Sequence, residues 1–176
     1  MRWFSEIANH SPYPVYLYDL PSVTQSKITM PIIDRIINHP NIHGIKTADW
    51  KLIVAIERKY PGADFTCLCS RLDSFDYINA LGIGKNLDGV FACTPKNATA
   101  MYKCIANGDL AGARVHLHNI LLLRDTMINH GLLRCFTVCM NLLGYKGDFH
   151  YDYNKEIDLD KVTPIMRDIM QTVGEL

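Results

Sequence analysis

His39-Pro40-Asn41-Ile42-His43-Gly44-Ile45-Lys46-Thr47-Ala48 decides how this chain folds. The His-Pro pair closes whatever precedes it, because proline lacks an N–H and pushes the residue before it out of the helical region. Ile42 to Thr47 then form a mostly apolar run with a lysine, Lys46, next to its end. Asp49 follows, placed to cap a helix through Leu52, Ile53, Ala55 and Ile56 that ends at Tyr60-Pro61-Gly62. The stretch reads as strand, short loop and helix, which is one βα unit.

The same order recurs on both sides. Further β-rich runs are Pro14 to Leu20, Asp64 to Cys69 and Gly89 to Cys93. Thr29 can cap a helix through Ile32, Ile33, Ile36 and Ile37, and Asp73 one through Phe75, Tyr77, Ile78 and Leu81 that stops at Gly82. Strand starts therefore repeat every ~22 to 28 residues, as in consecutive βα units with right-handed crossovers and a parallel sheet. Met1 to Ala8 read as an amphipathic helix already under way, with no capping residue ahead of it. After the fourth run the pattern turns helical: residues 95–107, 110–129 and 132–143, a loop over 146–158, and a last helix near 159–173 with Pro164 in its first turns. The expected fold is α/β: a partial (β/α)8 barrel of four units over residues 1–107, then a helical region over 108–176. A closed barrel of eight strands takes about 250 residues, so this chain supplies half.

Composition narrows the function. With 176 residues, 48% hydrophobic and 20% charged, the chain can bury a sizeable core. Lys+Arg and Asp+Glu balance at 18 each, so nothing draws it to nucleic acid or an anionic membrane. No apolar stretch near a terminus is long enough for a membrane span or a signal peptide. The six cysteines form no C-x-x-C pair and most sit in apolar patterns, which reads as reduced core thiols in a cytoplasmic protein. His116 and His118 are two apart and would face different sides of a helix, and no H-E-x-x-H appears, so no metal is expected. Gly82-Ile83-Gly84-Lys85 precedes a strand run, the wrong place for a phosphate loop. Tyr145, Phe149, Tyr151 and Tyr153 make the late loop aromatic, suited to packing or to a subunit contact.

Lys46 is the chemical anomaly. In parallel barrels and open sheets, ligands meet the protein at the carboxyl ends of the strands. A lysine partly desolvated there can attack a carbonyl as a neutral amine and form an imine. A strand-end lysine can equally just reach solvent. Tyr18 ends the preceding strand run, one βα unit earlier, so adjacent parallel strands would set the two side by side. A phenol can then move the protons that carbinolamine formation and dehydration require, or simply fill the barrel mouth.

At these residues the chain resembles the dihydrodipicolinate synthase / N-acetylneuraminate lyase family of class I aldolases, over its C-terminal half. Pro14 to Thr24 is similar to the family's tyrosine-bearing strand, usually an apolar run followed by Tyr-Asn-x-Pro-x-x-Thr-Gly. His39 to Ala48 resembles the run that carries the Schiff-base lysine. Asp88 to Cys93 resembles the last barrel strand, and Asn107 to Ala113 the turn into the C-terminal helices. The resemblance implies a lyase acting on pyruvate or another 2-oxo acid. Lys46 would be the imine-forming nucleophile and Tyr18 the proton shuttle, with Thr47, Phe91 and Ser70 lining the substrate site. No cofactor beyond the covalent imine is implied.

Departures shape the expectation further. Val23 stands where the synthases carry an arginine for the second substrate's carboxylate, and valine cannot make that bidentate pair. Sugar-acid or hydroxy-oxo-acid substrates are therefore expected rather than aspartate semialdehyde. Ser70 replaces a common glycine, while Arg71 and Leu72 replace acidic positions; Arg71 and Asp73 are further candidate contacts. The family's Gly-Thr-Thr turn, which binds the 2-oxo acid carboxylate, is not in this sequence. A homo-oligomer or a complementing N-terminal half is expected to supply it; the rival is an inactive half-barrel with a structural or regulatory role.

Overall fold

The computed structural model describes residues 2–147 and 158–176. The chain divides into two compact units, Met1–Leu87 and Asp88–Leu176. The first opens with α1 (Arg2–His10), then β1 (Val15–Asp19), the short α2 (Pro21–Thr24), α3 (Met30–Ile36), β2 (Ile42–Thr47), α4 (Trp50–Lys59) and β3 (Thr66–Cys69). A 3-10 turn, Leu72–Ser74, leads into α5 (Phe75–Ala80).

The sheet is three-stranded and parallel, in the order β1-β2-β3. Leu17 pairs with Ile45, Tyr18 with Lys46 and Asp19 with Thr47; across the next seam Ile45 pairs with Cys67 and Lys46 with Leu68. Side chains alternate along a strand. Leu17, Ile45 and Cys67 therefore share one face, where they pack with Ile33, Ile36, Ile53 and Ile56 of the helices in one buried core. A slip of one residue would turn this apolar set outward, so the pattern fixes the register. The opposite face carries Tyr16, Tyr18 and Lys46.

The expected fourth strand is not a strand. Gly89–Ala92 form a 3-10 helix, with the Asp88 carboxylate accepting the Val90 N–H at 3.0 Å. Pairing with β3 comes earlier: Cys69 donates its N–H to Lys85 O at 2.9 Å and accepts that of Leu87 at 3.1 Å, a parallel bridge centred on Asn86. Val90 and Cys93 are buried three residues apart while Gly89 and Ala92 are exposed, which is helical spacing in a run too short for its period to be read.

The second unit is helical: α6 (Pro95–Ala106), α7 (Leu110–Asn129), α8 (Leu132–Leu142) and α9 (Leu159–Thr172). Helix α7 packs against the other three and buries Ala113, Leu117, Ile120, Leu123 and Met127. Asp109 caps it through the Gly112 N–H. Pro164 lies within α9, in its second turn. Of the expected loop over 146–158, residues 148–157, including Phe149, Tyr151 and Tyr153, lie outside the described residues. No helix among them is long and apolar enough to cross a membrane.

Candidate active site

Parallel pairing puts the carboxyl ends of β1 and β2 at one rim of the sheet, and the register aligns Tyr18 with Lys46 there. The Lys46 Nζ lies 4.2 Å from the centroid of the Tyr18 ring. The lysine is half-buried, and Tyr18 is 50% exposed on the face turned away from the helices. An ammonium over an aromatic face is attracted by the ring's quadrupole, which holds the amine against the phenol instead of letting it swing free. Ser70 N donates to Thr47 O at 2.9 Å, so the ladder runs one residue past β3. By alternation half-buried Ser70 falls on the Lys46–Leu68 face.

Thr47 and Phe91 were also expected at the site. Thr47 follows Lys46 on the strand, so it points to the opposite face and is fully buried. Its hydroxyl donates to Asp19 Oδ2 at 2.8 Å and accepts the Asp49 N–H at 3.0 Å. A side chain so placed supports the rim from behind and does not line the face on which Lys46 sits. Phe91 belongs to the second unit, in the 3-10 helix, where its carbonyl accepts the Thr94 N–H at 3.3 Å. The run was expected as a barrel strand, and it is instead the turn that Asp88 starts.

Asp19 was not singled out in the sequence, and its carboxylate ties the end of β1 to that of β2 through the Thr47 hydroxyl. It is 3% exposed, and its second oxygen accepts the Ile28 N–H at 2.8 Å. Beside Ile28, Lys27 reaches Asp49 at 2.5 Å. Asp49 in turn caps α4 by accepting from Lys51 N and Leu52 N. The hydrogen bond to Asp49, together with its charge, raises the Lys27 pKa. Burial pushes the Asp49 carboxyl up, but Lys27 and the two backbone donors outweigh it and hold the pKa below the usual carboxylate value. A strand that ends on a buried aspartate was the available signal. Its partners come from a loop whose path the sequence does not spell out.

Two hollows flank the rim. One, of about 480 Å³, is lined by Asp19, Lys27, Thr47, Asp49, Lys51 and Arg71, among others. Arg71 there donates from Nε to Ala48 O at 3.4 Å. The other, of about 420 Å³, is apolar and follows the free edge of β1, where Trp3, Phe4, Ile7, Tyr16 and Tyr18 line it. Val23 is 73% exposed on α2. Asp73 sits inside the 3-10 turn, and Ser74 takes the cap position of α5.

Residues 1–151 match the model of the dihydrodipicolinate synthetase family. Among curated relatives, the 4-hydroxy-tetrahydrodipicolinate synthase of Zymomonas mobilis is 30% identical over 125 residues, covering 70% of this chain and 40% of that protein. That of Oenococcus oeni is 29% identical, covering 62% and 38%. This chain thus spans about two-fifths of the length of the curated relatives it matches. Among solved structures, a variant of the 2-keto-3-deoxygluconate aldolase of Sulfolobus solfataricus superposes with a TM-score of 0.84 at 16% identity, covering 99% of this chain and 58% of that one. A prophage protein of the dihydrodipicolinic acid synthase family from E. coli K12, in complex with pyruvate, gives 0.79 at 20% identity, covering 98% and 60%.

Proposed function

Because the chain belongs to the dihydrodipicolinate synthetase family, we propose that it carries the imine-forming part of a Schiff-base lyase site for pyruvate or another 2-oxo acid. The observation that carries this reading is the Lys46 amine held 4.2 Å from the Tyr18 ring centroid, at the carboxyl ends of two paired parallel strands. In the reaction the Lys46 nitrogen bonds to the substrate's C2 and the carbonyl oxygen becomes a hydroxyl. That hydroxyl leaves as water, with Tyr18 handing on the proton, and the imine remains. When the bond between C3 and C4 then breaks, its electron pair moves into the imine. The proton of the C4 hydroxyl passes to Tyr18, and an aldehyde departs. Ser70, on the same face, is placed to contact the distal part of the substrate.

Val23 lacks the charge that would grip a second carboxylate, so we assign sugar-acid or hydroxy-oxo-acid substrates. The aldolase from Sulfolobus has been solved with D-KDPG, a ligand of that class. The strands that complete the barrel, and the turn that binds the 2-oxo acid carboxylate, come in this reading from a complementing half or a second copy. Five buried free cysteines suit the reducing cytoplasm.

The test is covalent. Incubation with pyruvate followed by borohydride should leave one 1-carboxyethyl group on nitrogen, mapped by peptide mass to Lys46 and absent from Lys46→Ala. Tyr18→Phe should slow trapping by roughly a hundredfold or more, the usual worth of a positioned proton carrier. No adduct at Lys46 in a preparation that contains the full barrel, or an undiminished one in Lys46→Ala, would overturn the proposal.

A further inference from the structure

We infer that Asp19 and Thr47 are positioning residues, which hold Tyr18 against Lys46 through a closed ring of hydrogen bonds on the far side of the sheet. The inference deepens the lyase reading above and rests on it for its catalytic meaning.

The ring can be followed bond by bond. Asp19 accepts from the Ile28 N–H and from the Thr47 hydroxyl, each at 2.8 Å. Thr47 accepts from the Asp49 N–H at 3.0 Å, and Asp49 binds Lys27, the neighbour of Ile28, at 2.5 Å. The direction is unambiguous, since a carboxylate only accepts and a backbone N–H only donates. The hydroxyl must therefore give its proton to Asp19. Asp19 and Thr47 are also the residues that follow Tyr18 and Lys46 and pair with each other in the register. The bond at 2.8 Å thus fixes the separation of the two strand ends one residue past the reactive pair. It is shielded as well, with Asp19 3% exposed and Thr47 fully buried, so water does not compete for it. The same ring ties down the loops that leave both strands. Asp19 stands where the resembled family usually has asparagine. A carboxylate can take both donors on its two oxygens, whereas an amide must turn an NH2 group toward one of them.

The experiment compares the whole chain with Thr47→Val, Thr47→Ser and Asp19→Ala, all under conditions where urea curves show them folded. Two readouts are used. The first is the rate of borohydride-trapped imine formation at saturating pyruvate, beside the pyruvate concentration for half-saturation. Small misplacements of reacting groups cost up to about a hundredfold. Thr47→Val should accordingly lose ten- to a hundredfold in rate with half-saturation little changed, and Thr47→Ser should recover most of the loss. A variant that combines Thr47→Val with Asp19→Ala should be no slower than Asp19→Ala, since both changes break one device. The second readout needs no chemistry: in the wild type the Tyr18 ring current should shift the Lys46 ε-methylene protons upfield. Thr47→Val should return them toward the position of a free lysine, and Thr47→Ser should not. An unchanged upfield shift in Thr47→Val, or a trapping rate within twofold of wild type, overturns the inference. A wild type that forms no adduct within the full barrel overturns the lyase reading instead, and the proton shifts still decide whether Thr47 positions the pair.

Discussion

Gly44 shows how tightly a single position is held near the reactive pair. It lies in the middle of β2, two residues before Lys46, and pairs with Tyr16 on one side and Thr66 on the other. A Cβ there would meet the Thr66 carbonyl oxygen well inside contact distance, and the Tyr16 ring carbons Cδ1 and Cε1 at 2.8 Å each. Tyr16 could swing aside, since it is 48% exposed. The Thr66 oxygen is backbone, so the strand itself would have to move. Gly44→Ala should therefore destabilise by about 1–3 kcal/mol, the usual penalty of overpacking. Adding Tyr16→Ala should not rescue it. The check is the urea midpoint of the single and double variants, and a Gly44→Ala midpoint equal to wild type would show that β3 yields freely.

Among the elements, α6 carries a cap that no local pattern announces. Thr94 precedes it without a side-chain cap bond, yet two N–H groups of its first turn are satisfied. Glu175, 1% exposed, accepts from Lys96 N at 3.0 Å and from Asn97 N at 2.8 Å, from 78 residues along the chain in the latter case. Asn97 Nδ2 donates to Glu175 and to Val173 O, while Asn97 Oδ1 meets His116 and Asn119 at 3.0 Å. Glu175→Gln leaves one of these donors facing an NH2 group, so it should cost about 1–3 kcal/mol in thermal or urea unfolding. A loss below about half a kcal/mol would mean that solvent replaces the carboxylate. The sequence shows what is local and hides what is not. The cap of α4 was legible because Asp49 stands directly before an apolar period, and β1 and β2 because each is a short β-rich run bounded by turn residues and helix starts. The pairing of Tyr18 with Lys46 followed from parallel order alone. The 3-10 turn at Gly89–Ala92 was not legible, since four residues do not define a period. Neither was the Asp19 ring, which needs left-handed Gln25 (φ 52°) at the end of α2, on the path that returns Ile28 to Asp19. Nothing in the residue types along 20–29 dictates that turn.

Across the molecule, the thiols report on both units at once. Cys67 and Cys69 are buried in the first unit and Cys93, Cys135 and Cys139 in the second, while Cys104 is half-buried on α6. Burial pushes Cys67 up to about 12, helped by the Glu57 charge, and pushes Cys135 up to about 11. A hydrogen bond with Cys93, then burial, raises Cys139 too. In the unfolded chain these thiols ionise near 8.5. A folded pKa raised above the unfolded one gives stability that is complete below the unfolded value and is lost as pH rises toward the folded value. Unfolding free energy should therefore hold up to about pH 8.5 and decline between 8.5 and 10, before lysines contribute. Replacing Cys67 and Cys135 together by alanine should make that decline shallower while lowering stability at neutral pH, since each substitution removes a buried sulfur. Iodoacetamide at pH 8 gives a second view: native protein should take up label at Cys104 alone, and urea should open the rest. Label at Cys67 or Cys135 without denaturant, or a decline of unchanged slope in the double variant, would show that the buried thiols do not set the alkaline limit.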